Sequence, residues 1–224
     1  MNLQIFPSGA AQVDALLKHI VENISQLLKT KQHLVIALSG GRSPIPLLEK
    51  LSEAKIDFSK ITFTLVDERI VETLHQDSNE NLLKTHLLKN NAKNAKFIGL
   101  VNTDLSIDDM LSNANSNISS IDLAILGMGD DGHTASIFPD CAELNYALDN
   151  NNQNNYIVTN PQSAKYSRIT LTLRALVNIP VLILSINGNT KLNVLKEANI
   201  GDNLNYPVSY VLSRRPDTQT FWYE

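Results

Sequence analysis

His133 sits in Gly127-Met128-Gly129-Asp130-Asp131-Gly132-His133, directly behind the apolar run Ile121-Asp122-Leu123-Ala124-Ile125-Leu126. An imidazole takes up and releases protons at neutral pH, and Asp131, two residues away, is placed to orient the ring. The stretch therefore reads as a general base. A helix is expected to open near His133, because a buried strand that ends in glycines and then turns into a helix is the usual geometry of a site at the carboxyl edge of a parallel sheet. Two other chemistries fit less well. No second histidine lies at ligand spacing, and aspartates alone suit only a loosely held magnesium, so no metal is expected. Cys141 follows Phe138-Pro139-Asp140 with no sign of activation and is not read as a nucleophile.

Three further clusters have side chains or backbone suited to holding a substrate. Ser39-Gly40-Gly41-Arg42 follows the apolar run Leu34-Val35-Ile36-Ala37-Leu38. Two glycines between a strand and a helix start can turn several backbone amides toward one point, where a phosphate fits. A tight turn with no ligand is the competing reading. No G-x-x-x-x-G-K-[ST] pattern is present, which argues against a triphosphate loop. Asp67-Glu68-Arg69 closes the run Ile61-Thr62-Phe63-Thr64-Leu65-Val66, and Arg168 and Lys191 stand at the edges of two late strands as candidate phosphate contacts. Gly127, Gly129 and Gly132 also spell G-x-G-x-x-G, yet a dinucleotide site is disfavoured. At least two βα units precede the motif, an Asn-rich stretch stands where an acid-ended strand is required, and two aspartates would face the pyrophosphate.

Bringing these clusters to one edge requires strands and helices in alternation. Val13, Leu16, Leu17, Ile20, Val21, Ile24, Leu27 and Leu28 make one apolar stripe on a long first helix. A strand over 34–38 leads to a helix capped by Ser43 with Pro44 first, and a strand over 61–66 leads to a helix over 78–88 that opens on an Asp77/Glu80 capping box. A short strand over 97–100, a polar helix over 104–119 and a strand over 121–126 follow. Residues 150–155, nearly all asparagine, have no apolar face and form a surface loop, either a lid or a plain connection. Strands over 156–159, 168–173 and 181–186 and a helix over 190–198 complete the pattern. The expected fold is α/β, with a mostly parallel sheet covered by helices on both faces.

Composition limits the partners. A chain of 224 residues builds one well-buried core without splitting, so a single domain over 1–224 is expected, with a monomer as the default. A net charge of -4 offers no broad basic face for nucleic acid or anionic membrane, and one cysteine excludes an internal disulfide. The opening Met1-Asn2-Leu3-Gln4-Ile5-Phe6-Pro7 lacks the pattern of a secretory signal, and no apolar run approaches membrane-spanning length, so a cytoplasmic location is expected.

Taken in order, Ser39-Gly40-Gly41-Arg42-Ser43-Pro44, Asp67-Glu68-Arg69-Ile70-Val71 with Ser78-Asn79, Gly127-Met128-Gly129 through His133-Thr134-Ala135-Ser136-Ile137-Phe138-Pro139, and Arg168-Ile169-Thr170-Leu171-Thr172 resemble the 6-phosphogluconolactonase family. The match runs from about residue 34 to 191, and the block Asp130-Asp131-Gly132-His133-Thr134-Ala135-Ser136 is specific. The resemblance implies a Rossmann-like fold of the deaminase/lactonase type and hydrolysis of a sugar-phosphate lactone, 6-phospho-D-glucono-1,5-lactone, without a cofactor. Under it, His133 takes a proton from the attacking water and Asp131 orients the ring. Arg69 or backbone amides near Gly129 receive the oxyanion, and Asp67 contacts sugar hydroxyls or Arg69. Ser39, Gly40, Gly41 and Arg42, with Arg168 and Lys191, hold the phosphate. Glucosamine-6-phosphate deaminases share the fold but carry Asn-Glu-Pro after the histidine and Asp-Glu-Tyr at the acidic strand end, where this chain has Thr134-Ala135-Ser136 and Asp67-Glu68-Arg69. A non-catalytic sugar-phosphate sensor is the third possibility.

Overall fold

The computed structural model describes residues 1–224. Its first half alternates strand and helix: β1 (Asn2–Phe6), α1 (Gly9–Leu27), β2 (Leu34–Leu38), α2 (Ile45–Ser52) and β3 (Ile61–Leu65), then a short β4 (Asp67–Arg69), α3 (Asn79–His86), β5 (Lys96–Phe97), α4 (Ile107–Asn117) and β6 (Leu123–Leu126). The second half holds α5 (Leu144–Ala147), β7 (Tyr156–Thr159), β8 (Arg168–Leu171), α6 (Leu173–Val177), β9 (Val181–Asn187), α7 (Asn189–Ala198), α8 (Val208–Arg214) and β10 (Gln219–Tyr223).

Seven strands make one parallel sheet in the order β1-β10-β9-β6-β2-β3-β5, and β4-β8-β7 make a separate antiparallel sheet. The chain builds outward from β2 through β3 to β5, then returns to the other side of β2 with β6 and continues to β9. Strand order therefore reverses between β2 and β6, which opens a crevice beyond their carboxyl ends. The residues that follow β9, β6, β2 and β3 are the clusters singled out above.

The expected stripe of α1 lies on the sheet, with Val13, Leu16, Ile20 and Ile24 buried. Gln12 is buried with them, and its amide donates to the carbonyls of Ile186 (2.9 Å) and Phe221 (2.8 Å), tying the helix to the ends of β9 and β10. Several local expectations are corrected. Ser43 does not cap α2, whose N-cap is Pro44 with no side-chain bond. α3 is capped one residue later than expected, by Ser78 accepting from the Asn81 N–H (3.1 Å). β5 is confined to two residues and begins at Lys96. The strand expected over 168–173 ends at Leu171, because the Thr172 hydroxyl caps α6. It joins the antiparallel sheet together with β7. No helix opens at His133; the first after β6 is α5. β1, α5, α6, α8 and β10 were not anticipated, and β10 lies inside the sheet between β1 and β9. No helix is long and apolar enough to cross a membrane.

Candidate active site

A cavity of about 650 Å³ lies in the crevice. Ser39, Gly40, Gly41 and Arg42 line it from the turn after β2, Asp67 and Arg69 from β4, Gly129 and His133 from the turn after β6, and Lys191 from the first turn of α7. Residues scattered over 150 positions thus share one space because their strands are neighbours. Asp131 and Arg168 do not line it; they meet it through other residues, Asp131 through His133 and Arg168 through Phe138.

The turn after β6 is built around close approach. The Gly129 N–H donates to the His133 carbonyl (2.9 Å) and the Gly132 N–H to the Gly129 carbonyl (3.1 Å), so the chain doubles back at once. Within this turn the His133 Nδ1–H donates to Asp131 Oδ1 at 2.6 Å, leaving the lone pair on Nε2. A Cβ at Gly129 would stand 2.3 Å from the His133 ring and 2.4 Å from Asp131 Oδ1, so only glycine admits the pair. Burial pushes the Asp131 carboxyl up, but the hydrogen bond and charge of His133 outweigh it and hold Asp131 below the ordinary aspartate range. Because the Gly129 N–H is committed to His133, that amide is not free to receive an oxyanion.

The turn after β2 is equally constrained. Gly41 has φ +94°, and a Cβ at Gly40 would stand 1.8 Å from Asn79 Oδ1. Neither glycine N–H donates to another protein group. Ser39 is different: its hydroxyl donates to the Ile125 carbonyl (2.9 Å), so it stitches β2 to β6 and has no proton left for a ligand.

β4 is clamped onto the start of α3. Glu68, 1% exposed, accepts from the N–H groups of Arg69 (2.7 Å), Asn79 (2.8 Å) and Glu80 (2.7 Å) and from the Ser78 hydroxyl (3.1 Å). Burial raises its carboxyl to about 7 against those donors. Asn79 adds a bond from Nδ2 to the Asp67 carbonyl (2.8 Å). Asp67 accepts from the Ser136 hydroxyl (2.5 Å), and Arg69 donates to the Asp77 carbonyl (2.7 Å) while its Nε is buried without a partner. The expected Asp67–Arg69 contact is therefore absent, since each side chain is engaged elsewhere.

Arg69 and Arg168 are paired across β4 and β8 in register, which is unfavourable for like charges unless an anion sits near them. The ion pairs of the molecule lie elsewhere, as in Lys31–Asp122, Arg214–Asp202 and Arg215–Asp217, and leave Arg42, Arg69, Arg168 and Lys191 without a carboxylate. Lys191 stands in the first turn of a helix, where a cation is disfavoured by the helix dipole, which again suits an anion nearby. Arg168, 8% exposed, donates to the Tyr166 carbonyl (3.0 Å) and lies over the Phe138 ring. Burial lowers its pKa, Asp67 opposes this and Arg69 adds to it.

Asn79, Ser136, Phe138 and Glu68 were not read as site residues. All four fall inside the motif blocks, but their types more often cap helices or fill cores, so spacing alone does not separate the two uses. Cys141 is buried, and burial raises its thiol. The Asn-rich stretch 150–155 does not line the cavity. Asn155, at the end of the stretch, is held at the far end of β7 from Arg168, accepting from the Thr172 N–H through its carbonyl and donating its own N–H to the Asn115 side chain (2.8 Å).

Residues 7–222 match the family model for glucosamine-6-phosphate isomerases/6-phosphogluconolactonase. The chain is 40% identical over 213 residues to 6-phosphogluconolactonase of Helicobacter pylori strain J99, covering 93% of this chain and 92% of that one. It is 36% identical to the 6-phosphogluconolactonase of Pseudomonas aeruginosa, over 100% and 95% of the two chains. The crystal structure of a putative 6-phosphogluconolactonase from Neisseria gonorrhoeae superposes with a TM-score of 0.96 at 35% identity, covering 100% of both. The chain belongs to the family of glucosamine-6-phosphate isomerases and 6-phosphogluconolactonases.

Proposed function

We propose that this protein is a 6-phosphogluconolactonase, an ester hydrolase that opens 6-phospho-D-glucono-1,5-lactone to 6-phosphogluconate. The observation that carries the mechanism is the His133–Asp131 pair, with Nδ1 tied to the carboxylate and Nε2 unpaired in a residue that lines the cavity. Nε2 takes a proton from water as the water oxygen bonds to the lactone carbonyl carbon. The tetrahedral oxyanion then collapses, the ring C–O bond breaks, and the imidazolium returns the proton to the leaving alkoxide. With the Gly129 amide committed, Arg69 is the better donor to the oxyanion, and its partnerless Nε is consistent with that role. The free amides of Gly40 and Gly41, with Arg42 and Lys191, hold the phosphate and so fix the carbonyl against the base. Arg168 strengthens the cationic field beside them, and Asp67, held by Ser136, offers its remaining oxygen to a sugar hydroxyl.

The chain between His133 and Pro139 carries no carboxylate, and Ile137 and Phe138 there are buried, so the ring-opening acid of an amino-sugar deaminase has no counterpart. Two parallel assays separate the readings. Acid release from the lactone well above the spontaneous rate, with no ammonia released from glucosamine 6-phosphate, is expected. Ammonia release would establish the deaminase, and lactone loss at the buffer rate despite bound 6-phosphogluconate would establish a sensor.

A further inference from the structure

The His133 imidazole has one hydrogen-bond partner, Asp131, and that partner belongs to the same turn. A ring held only this way swings with its turn. The second restraint comes from Phe138, whose ring stacks on the imidazole with centroids 3.9 Å apart and planes 20° from parallel. Phe138 is itself packed in place: it is 7% exposed, and its backbone is held where its carbonyl accepts from the Cys141 N–H (3.4 Å) and Sγ (3.2 Å). The Arg168 guanidinium carbon lies 4.9 Å from the centre of the same ring. An aromatic face is electron-rich and attracts a cation, so a ring stacked on an imidazole favours the protonated form over the neutral one.

We propose that Phe138 is a positioning residue for the base, an inference that rests on the reading of His133 given above. It fixes the imidazole plane so that Nε2 stays presented to the substrate, and it stabilises the imidazolium that forms when the proton of water is taken. Through Arg168 it also ties the base to the arginine pair of β4 and β8. The charged groups around this assembly are Asp130 and Asp131 on the same turn, Asp140 just beyond Pro139, Asp67 and Arg69 on β4, Arg168 on β8 and Lys191 on α7, and the test leaves all of them in place.

Phe138→Leu keeps apolar volume and removes the aromatic face; Phe138→Tyr keeps the face. For Phe138→Leu, kcat is expected to fall about tenfold with KM within about twofold, a part of the general-base contribution. Phe138→Tyr is expected to restore kcat. Unchanged kcat in Phe138→Leu, or a loss that Phe138→Tyr does not restore, would reduce Phe138 to packing and overturn the proposal. Should Phe138→Leu fail to fold, proton NMR of the wild type decides. A His133 Cε1–H resonance, assigned by its loss in His133→Ala, that is displaced upfield by the ring current supports the stack in solution. A resonance at the position of an exposed histidine overturns it. Undiminished turnover in His133→Ala would instead remove the base itself, a different failure with a different readout.

Discussion

At the scale of single residues, the site depends on what is missing as much as on what is present. Gly129 has no side chain, and the space a Cβ would take is filled by the His133 ring and the Asp131 carboxylate. Gly129→Ala should therefore push the pair apart while leaving the sheet intact, and kcat is expected to fall by about two orders of magnitude, the usual consequence of moving a catalytic group by about an ångström. Unchanged kcat in steady-state assays would show that the close approach is not needed. The two arginines should separate kinetically. Arg69→Ala is expected to lower kcat by about 10²–10³ with little change in KM, as for loss of an oxyanion donor, whereas Arg168→Ala is expected to raise KM. The reverse split, measured on the same substrate, would exchange their assignments.

At the scale of elements, the clamp between β4 and α3 is the part with a built-in pH dependence. Glu68 has its pKa raised to about 7 by burial, so the folded protein binds that proton more tightly than the unfolded chain does. Stability contributed by the protonated form is therefore lost as pH rises from the ordinary glutamate value through about 7, on the order of 3 kcal/mol over the window. Thermal unfolding followed from pH 4.5 to 8 should show that decline, and Glu68→Gln, uncharged throughout, should flatten it whatever its effect on absolute Tm. An equal slope in both proteins would contradict the assignment. Elements also divide what could be read in the chain from what could not. The run 34–38 and residues 123–126 are apolar on both faces, 61–66 is rich in β-branched residues with threonine on one face, and the α1 stripe repeats at helical spacing, so the pattern of residue types places them. The segment after β6 carries the same glycines that announce a site, but they serve a doubled-back turn in place of a helix start, and no local rule distinguishes the two. Ser43 and Asp77 show the limit of capping rules, since α2 begins without a side-chain cap and α3 takes its extra acceptor from Glu68, eleven residues before Asn79. Asn79 becomes visible only when strand order is known, because its partners lie on Gly40 and Asp67, and so does the contact of Phe138 with Arg168.

At the scale of the whole molecule, the first strand ends the sheet on one side and is held there by the last. β1 pairs only with β10, and β10 reaches the site in two ways: Tyr223 lines the cavity, and the Trp222 indole donates to the Gly188 carbonyl (2.9 Å) and the Gly188 N–H to the Tyr223 carbonyl (2.9 Å), which sets the start of α7 and so Lys191. Removal of residues 219–224 is expected to abolish cooperative unfolding by circular dichroism, and a truncated chain that still melts in one sharp transition would show that β10 is dispensable. The convergence of four neighbouring strand ends on one cavity is the claim on which all the chemistry depends, and His133 is where it is most exposed to test. Turnover of 6-phospho-D-glucono-1,5-lactone by wild type and His133→Ala, with 6-phosphogluconate affinity measured on both, decides it. A loss in kcat on the order of 10²–10⁴ with affinity preserved is predicted, and equal turnover in the two proteins would contradict it.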